Sequence, residues 1–127
     1  MIDGKTVVCG LIGDPVEHTL SPVIHNTLAQ ETGRNLVYVP FSVKAEQVED
    51  AVRGAWALSI RGLNVTVPHK SAVIPYLSSV EREAALIGAV NTLVPEEGGY
   101  RGYNTDLTGL GRALASDGVK LSGERVI

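Results

Sequence analysis

Thr6-Val7-Val8-Cys9-Gly10-Leu11-Ile12, followed at once by Gly13-Asp14-Pro15, decides how the rest of the chain reads. The run is apolar without alternation. A strand with one wet face alternates, whereas a strand covered on both faces does not. The prediction is therefore a strand of an open, mostly parallel sheet with a helix layer on each side. Ser21-Pro22 opens the first helix, with Ser21 as N-cap and Pro22 at the first helical position. Ile24, Leu28 and Thr32 mark its inner face, and Gly33 stops it. Residues 35–43 read as a second strand, which Pro40 moves away from the sheet centre. Residues 45–58 are helical, with Val48, Ala51, Val52 and Ala55 as the inner stripe.

Residues 60–67 form a third strand, stopped by Pro68. Residues 70–77 read as a short helical stretch broken near Pro75, and residues 80–87 as another short helix, stopped by Gly88. Residues 91–95 and 99–103 flank a hairpin turn. Leu107, Leu110 and Leu114 stripe a last helix that stops near Gly118. Strand, helix, strand, helix, strand is the α/β signature: three layers, twisted sheet in the middle.

The 127 residues, 44% of them hydrophobic, fit one domain with a real core. A net charge of −3 argues against a nucleic-acid surface, which needs clustered Lys and Arg. No apolar run approaches the roughly 18 residues of a membrane span. The single Cys9 excludes an internal disulfide framework and points to a reducing, cytoplasmic compartment. His18, His25 and His69 do not fall at metal-ligand spacing, so no metal is expected. The domain is expected over residues 1–118. Residues 119–127 end on a polar turn and Val126-Ile127, which reads as a chain cut at a boundary where a new strand begins.

Three polar clusters interrupt the apolar pattern. Thr19 and Ser21 place two hydroxyls at a helix start, where free N–H groups suit a carboxylate or phosphate; the plainer alternative is a cap. Asn64 and Thr66 share one face at the end of the third strand, with Lys70 just beyond Pro68. Ligands of open α/β sheets bind past the carboxyl ends of strands, though an ordinary turn with an exposed lysine fits as well. Asn91-Thr92 and Thr105-Asp106 flank the hairpin. A two-residue turn at Gly98-Gly99 would set Asn91 opposite Asp106 and Thr92 opposite Thr105. Other signals count for less. Gly109-Leu110-Gly111 lacks the third glycine of a dinucleotide fingerprint. Cys9 reads as an inert core residue, Trp56 as helix–sheet packing, His25 as a satisfied half-buried histidine, and Glu81, Arg82 and Glu83 as a solvated helix face.

Taken together, His18-Thr19-Leu20-Ser21-Pro22, Asn64-Val65-Thr66-Val67-Pro68-His69-Lys70, Gly88-Ala89-Val90-Asn91-Thr92 and Gly102-Tyr103-Asn104-Thr105-Asp106 resemble the substrate-binding domain of the shikimate dehydrogenase family. The resemblance runs from about Gly10 to the end of the chain. It implies an oxidoreductase of aromatic amino acid biosynthesis that reduces 3-dehydroshikimate to shikimate with NADPH. By the family pattern Thr19 and Ser21 would hold the substrate carboxylate, with threonine where the family usually has serine. Asn64, Thr66, Asn91 and Asp106 would bind ring hydroxyls, and Lys70 and Asp106 would form the catalytic pair. The family's NADP-binding domain would follow residue 127, so these residues alone are expected to bind substrate weakly and to be inactive. The alternatives are an enzyme that also oxidises quinate and a non-catalytic module that senses shikimate.

Overall fold

The computed structural model describes residues 1–106. The expected stripe of Leu107, Leu110 and Leu114, the stop near Gly118, the Gly109–Gly111 pattern and the terminal residues lie outside the described part. The elements are β1 (Val7–Gly13), α1 (Ser21–Glu31), β2 (Leu36–Ser42), α2 (Val48–Ala57), β3 (Gly62–Val65), β4 (Ser79–Val80), α3 (Arg82–Ile87), β5 (Thr92–Glu96) and β6 (Gly99–Tyr103). They build one sheet in the order β2-β1-β3-β5-β6-β4. β1 pairs in parallel with β2 and β3, β5 and β6 form the antiparallel hairpin, and β4 lies parallel to β6. The α/β class with a mostly parallel sheet is therefore observed.

The chain moves from β1 outward to β2, then back past β1 to β3. Right-handed crossovers in opposite directions put α1 and α2 on opposite faces. The burial of β1 agrees. Ile12 packs with Val48, Val52, Ala55, Leu63, Val65 and Leu93 in the main core, whereas Leu11 packs with Val16 and Tyr38 in a second, smaller cluster. The α2 stripe is as expected, and Pro40 does fall on an edge strand. No helix among the described residues is long and apolar enough to cross a membrane.

Several local expectations are corrected. Ser21 is not the N-cap of α1: Leu20 occupies that position without a side-chain cap, and Ser21 is the first helical residue. The Thr19 hydroxyl instead accepts the Ser21 N–H at 3.2 Å. The inner face of α1 is also rotated by about one residue, some 100°. Ala29 is buried, while Ile24 and Leu28 are 54% and 53% exposed. The cause is the edge strand. The outward N–H and C=O of Tyr38 have no neighbouring strand, and the Asn26 side-chain amide pairs with both, at 2.8 and 2.9 Å. That contact turns the polar side of α1 inward. His25, expected half-buried, is exposed and stacks on the Tyr38 ring at 4.2 Å.

Further along, the stretch at 70–77 is a run of turns ending in a single 3₁₀ turn, Ile74–Tyr76. The helix expected from residue 80 starts at Arg82, because Ser79–Val80 is taken by β4. Glu81 is a cap rather than a solvated face. Its carboxylate accepts the N–H groups of Glu83 and Ala84 at 3.1 and 3.2 Å. Gly88 closes α3 at φ +78, as expected of a glycine stop. Trp56 is 40% exposed and meets Tyr100 edge-on. Cys9 is half-buried rather than fully enclosed, and that burial pushes its thiol above the ordinary range.

The hairpin register differs by two residues from the expected one: Thr92 faces Tyr103 and Glu96 faces Gly99. The turn is Glu97-Gly98, where Gly98 takes φ +90, a conformation that suits glycine. A shift of two preserves the pleat, so every side chain keeps its face. β4 depends on this hairpin. Glu96 accepts hydrogen bonds from the Ser78 and Ser79 hydroxyls, the latter at 2.6 Å. These bonds hold the Glu96 carboxyl below its usual range. A depressed carboxylate contributes stability above its unfolded pKa and loses it as pH falls through the folded one. Acidification from neutral pH should therefore loosen β4 first, as faster amide exchange at Ser79 and Val80 than at Leu93. Glu96→Gln should remove that pH dependence; an unchanged acid response would contradict the assignment.

Candidate functional site

β1 and β3 end at the same edge of the sheet, and the antiparallel hairpin brings the start of β5 and the end of β6 to that edge too. All the sequence-predicted site residues follow or lie at these ends. Three loops are stitched together by backbone bonds. Asp14 N–H reaches the Val67 carbonyl, Val90 N–H the Lys70 carbonyl, and Asn91 N–H the Tyr103 carbonyl, at 3.2, 2.8 and 2.8 Å. Side chains add to this: the Ser71 hydroxyl donates to the Gly88 carbonyl at 2.7 Å, and Asn104 Nδ2 to the Ala89 carbonyl at 3.2 Å. Gly13 lets β1 approach β3, since a Cβ there would collide with Thr66 Cγ2.

Lys70 Nζ and Asp106 Oδ2 are 3.2 Å apart, with side chains 35% and 65% exposed. An ion pair this wet is worth under about 1 kcal/mol, so folding stability does not account for it. Lys70 is held instead by its neighbour. His69 is buried, and its Nε2 contacts the Val43 carbonyl at the end of β2. Asp106 is held by its N–H on Asn104 Oδ1 at 3.0 Å.

Asn91 is buried and organises the hairpin side. Its Oδ1 accepts from the Thr92 hydroxyl and the Thr105 N–H at 2.9 and 3.0 Å, and its Nδ2 donates to Thr105 Oγ1 at 3.1 Å. The expected meeting of Asn91 with the second Asn-Thr step thus occurs, but between Asn91 and Thr105 rather than Asn91 and Asp106. Asn64 on β3 donates to the Asn91 carbonyl and Thr92 Oγ1, both at a long 3.4 Å. Its Oδ1 accepts from the Tyr38 hydroxyl at 2.8 Å. Thr66, half-buried, has its backbone fixed by Ile12 and His69.

Sequence reasoning missed Tyr38 and Asn26, and it set Thr92 against Thr105 where the structure puts both on Asn91. Tyr38 reads as one apolar residue in a strand, and nothing local reveals that its hydroxyl lies beside Ser21 and Asn64. Burial pushes the phenol up to about 12, and the Ser21 hydroxyl opposes that shift. A hollow of about 220 Å³ borders the site, lined by His25, Tyr38, Asn64, Thr92 and Leu93 among others. A larger hollow of about 550 Å³, around Asn26, Arg34 and Asn35, opens at the opposite end of β2. Its polar groups serve each other: Asn35 bonds Asp3 and Thr6 at 2.9 and 2.7 Å. Among the described residues no cluster of His, Cys, Asp and Glu could hold a metal.

NADP, the cofactor that the resemblance implies, does not fit the described residues. The turn from β1 into a helix is where a dinucleotide fold carries its glycines. Here it runs Gly13-Asp14-Pro15-Val16-Glu17-His18, with one glycine, two acids and a proline without N–H.

Comparison with known proteins agrees with the geometry. The family described as shikimate dehydrogenase substrate binding domain matches residues 11–93. Shikimate dehydrogenase (NADP(+)) of Methanothermobacter thermautotrophicus is 52% identical over 114 residues, which is 90% of this chain and 40% of that protein. The structure of shikimate 5-dehydrogenase from Listeria monocytogenes in complex with shikimate and NAD superposes with a TM-score of 0.87 at 40% identity. It covers 94% of this chain and 42% of that one. Ligand-free 5-ketofructose reductase of a Gluconobacter species gives a TM-score of 0.83 at 32% identity, over 90% of this chain and 41% of that one. The chain thus spans about 40% of the length of the curated relatives it matches. With the motifs, the sheet order and the matched span in agreement, the chain belongs to the shikimate dehydrogenase substrate binding domain family.

Proposed function

We propose that this chain is the substrate half of an NADP-dependent shikimate dehydrogenase, holding 3-dehydroshikimate or shikimate against Lys70 and Asp106. The observation that carries the reading is the exposed Lys70–Asp106 pair at 3.2 Å, at the same end of the sheet as Asn64, Thr66 and Asn91. When a ketone carbon is reduced here, negative charge builds on its oxygen. The Lys70 ammonium stabilises that charge and transfers a proton from Nζ to the oxygen, leaving a neutral amine. In the reverse direction the neutral amine takes the hydroxyl proton. Asp106 aims the ammonium and accepts a hydrogen bond from a neighbouring hydroxyl. Lysine suits a single oxygen, where arginine would impose a fork. Asn91, with one amide hydrogen on Thr105, offers the other to a ring hydroxyl. No described residue is assigned to the hydride donor.

The carboxylate seat is Thr19 and Ser21. Ser21 does not cap α1, so its hydroxyl is not committed to the helix N-terminus. Ser21→Ala should therefore weaken shikimate binding by about 1–2 kcal/mol, the scale of a hydrogen bond to a charged group. It should leave thermal stability almost unchanged, since no cap is lost. Binding of the same ring without its carboxylate should not respond to the substitution. An equal loss for both ligands, or a loss of stability with no loss of affinity, would place the carboxylate elsewhere. The same seat separates this reading from reduction of an uncharged sugar ketone, the class named by the Gluconobacter neighbour. It is the Lys70–Asp106 pair that separates it from a module that only senses shikimate, because binding alone needs no proton donor.

A further inference from the structure

We infer that Tyr38 is a positioning residue that locks the Asn64 amide and fixes it relative to α1, the helix that carries Ser21. The inference rests on the substrate reading above and deepens it. Tyr38 is 4% exposed and lies on β2, whereas its hydroxyl ends beside residues of α1 and β3. Two α1 side chains grip it. Asn26 clamps its backbone N–H and C=O, and His25 lies flat on its ring at an interplanar angle of 11°.

The phenol donates to Asn64 Oδ1 at 2.8 Å, by far the shortest bond that Asn64 makes with its side chain. The bonds from Nδ2, both 3.4 Å, are too long to hold the amide alone. Their acceptors still fix which end faces them, since the Asn91 carbonyl can only accept. Asn64 therefore presents N–H groups, and a ligand oxygen is what it reads. The phenol cannot swing away from Asn64, because Asn26 and His25 hold its backbone and ring from α1. One buried ring thereby sets the spacing between the carboxylate seat on α1 and the hydroxyl seat on β3. A substrate with a carboxylate and a hydroxyl on one rigid ring gains from a fixed spacing, whereas a flexible chain gains little from it.

The test uses the 127-residue chain, the variants Tyr38→Phe, Asn64→Ala and their combination, and shikimate as the probe. Tyr38→Phe keeps the ring on His25 and removes only the hydroxyl. Each single substitution should weaken shikimate binding about tenfold, the scale of one hydrogen bond, and the double variant no more than either. In Tyr38→Phe without ligand, the Asn64 side-chain NH₂ signals should move toward solvent-averaged positions. A purely structural role for Tyr38 would lower stability and leave those signals in place. Unchanged affinity in Tyr38→Phe, or losses that multiply in the double variant, would overturn the inference. If the unaltered chain does not bind shikimate, the substrate reading fails and the Asn64 signals decide alone. Movement in Tyr38→Phe then upholds the positioning role, and no movement overturns it.

Discussion

Lys70→Ala should lower turnover by at least about 10²-fold, the usual scale of losing a general acid. The assay is a chimera in which residues 1–106 replace the matching segment of the Methanothermobacter relative. On the proposed roles the Michaelis constant should change far less, because Asn64, Thr66, Thr19 and Ser21 are left in place. Stability should also hold, since the Lys70–Asp106 pair is 35% and 65% exposed and contributes little to folding. Lys70→Arg should recover little, because a fork cannot place one proton on one oxygen as an ammonium does. Turnover near that of the unaltered chimera would remove Lys70 from the chemistry.

Gly10→Ala should cost about 1–3 kcal/mol of folding stability, the range for forcing atoms into a packed interior. A Cβ at this position would lie 2.5 Å from the Phe41 ring and 2.6 Å from the Val39 carbonyl oxygen. The ring could turn, but the carbonyl belongs to β2, whose whole length is paired in register with β1. Relief would require parting the two strands. Urea denaturation reads the loss directly. Gly54→Ala is the control, because nothing lies within 4 Å of a Cβ there. Equal stability of the two variants would contradict the close approach of β1 and β2.

What the sequence revealed and what it hid follow from how far each signal reaches. The β1 run, the α2 stripe, Pro40 at an edge and Gly88 as a stop are local patterns, and each was legible. The four polar motifs were legible as well, because polar residues at the ends of apolar strands are conspicuous. The rotation of α1 was not. It depends on Asn26 meeting the backbone of an edge strand, a contact that spacing along α1 does not encode. β4 has two residues and no pattern of its own. The hairpin register turned on which of Glu97-Gly98 or Gly98-Gly99 forms the turn, and two adjacent glycines made both readable. Tyr38 was hidden because its hydroxyl acts across three elements. The candidate residues could thus be picked out one by one, and the hydrogen bonds among them could not.

The most direct test of the central claim is a titration of the 127-residue chain, followed by NMR, with shikimate and with NADP separately. Shikimate should bind weakly, because an open cleft leaves its polar contacts in water, where each is worth less than in a closed site. Its addition should shift the signals of Ser21, Asn64, Lys70, Asn91 and Asp106, and leave those around Arg34 and Asn35 in place. NADP should shift none of them. A site that stays silent to shikimate into the tens of millimolar, or tight binding of NADP in its place, would contradict the account.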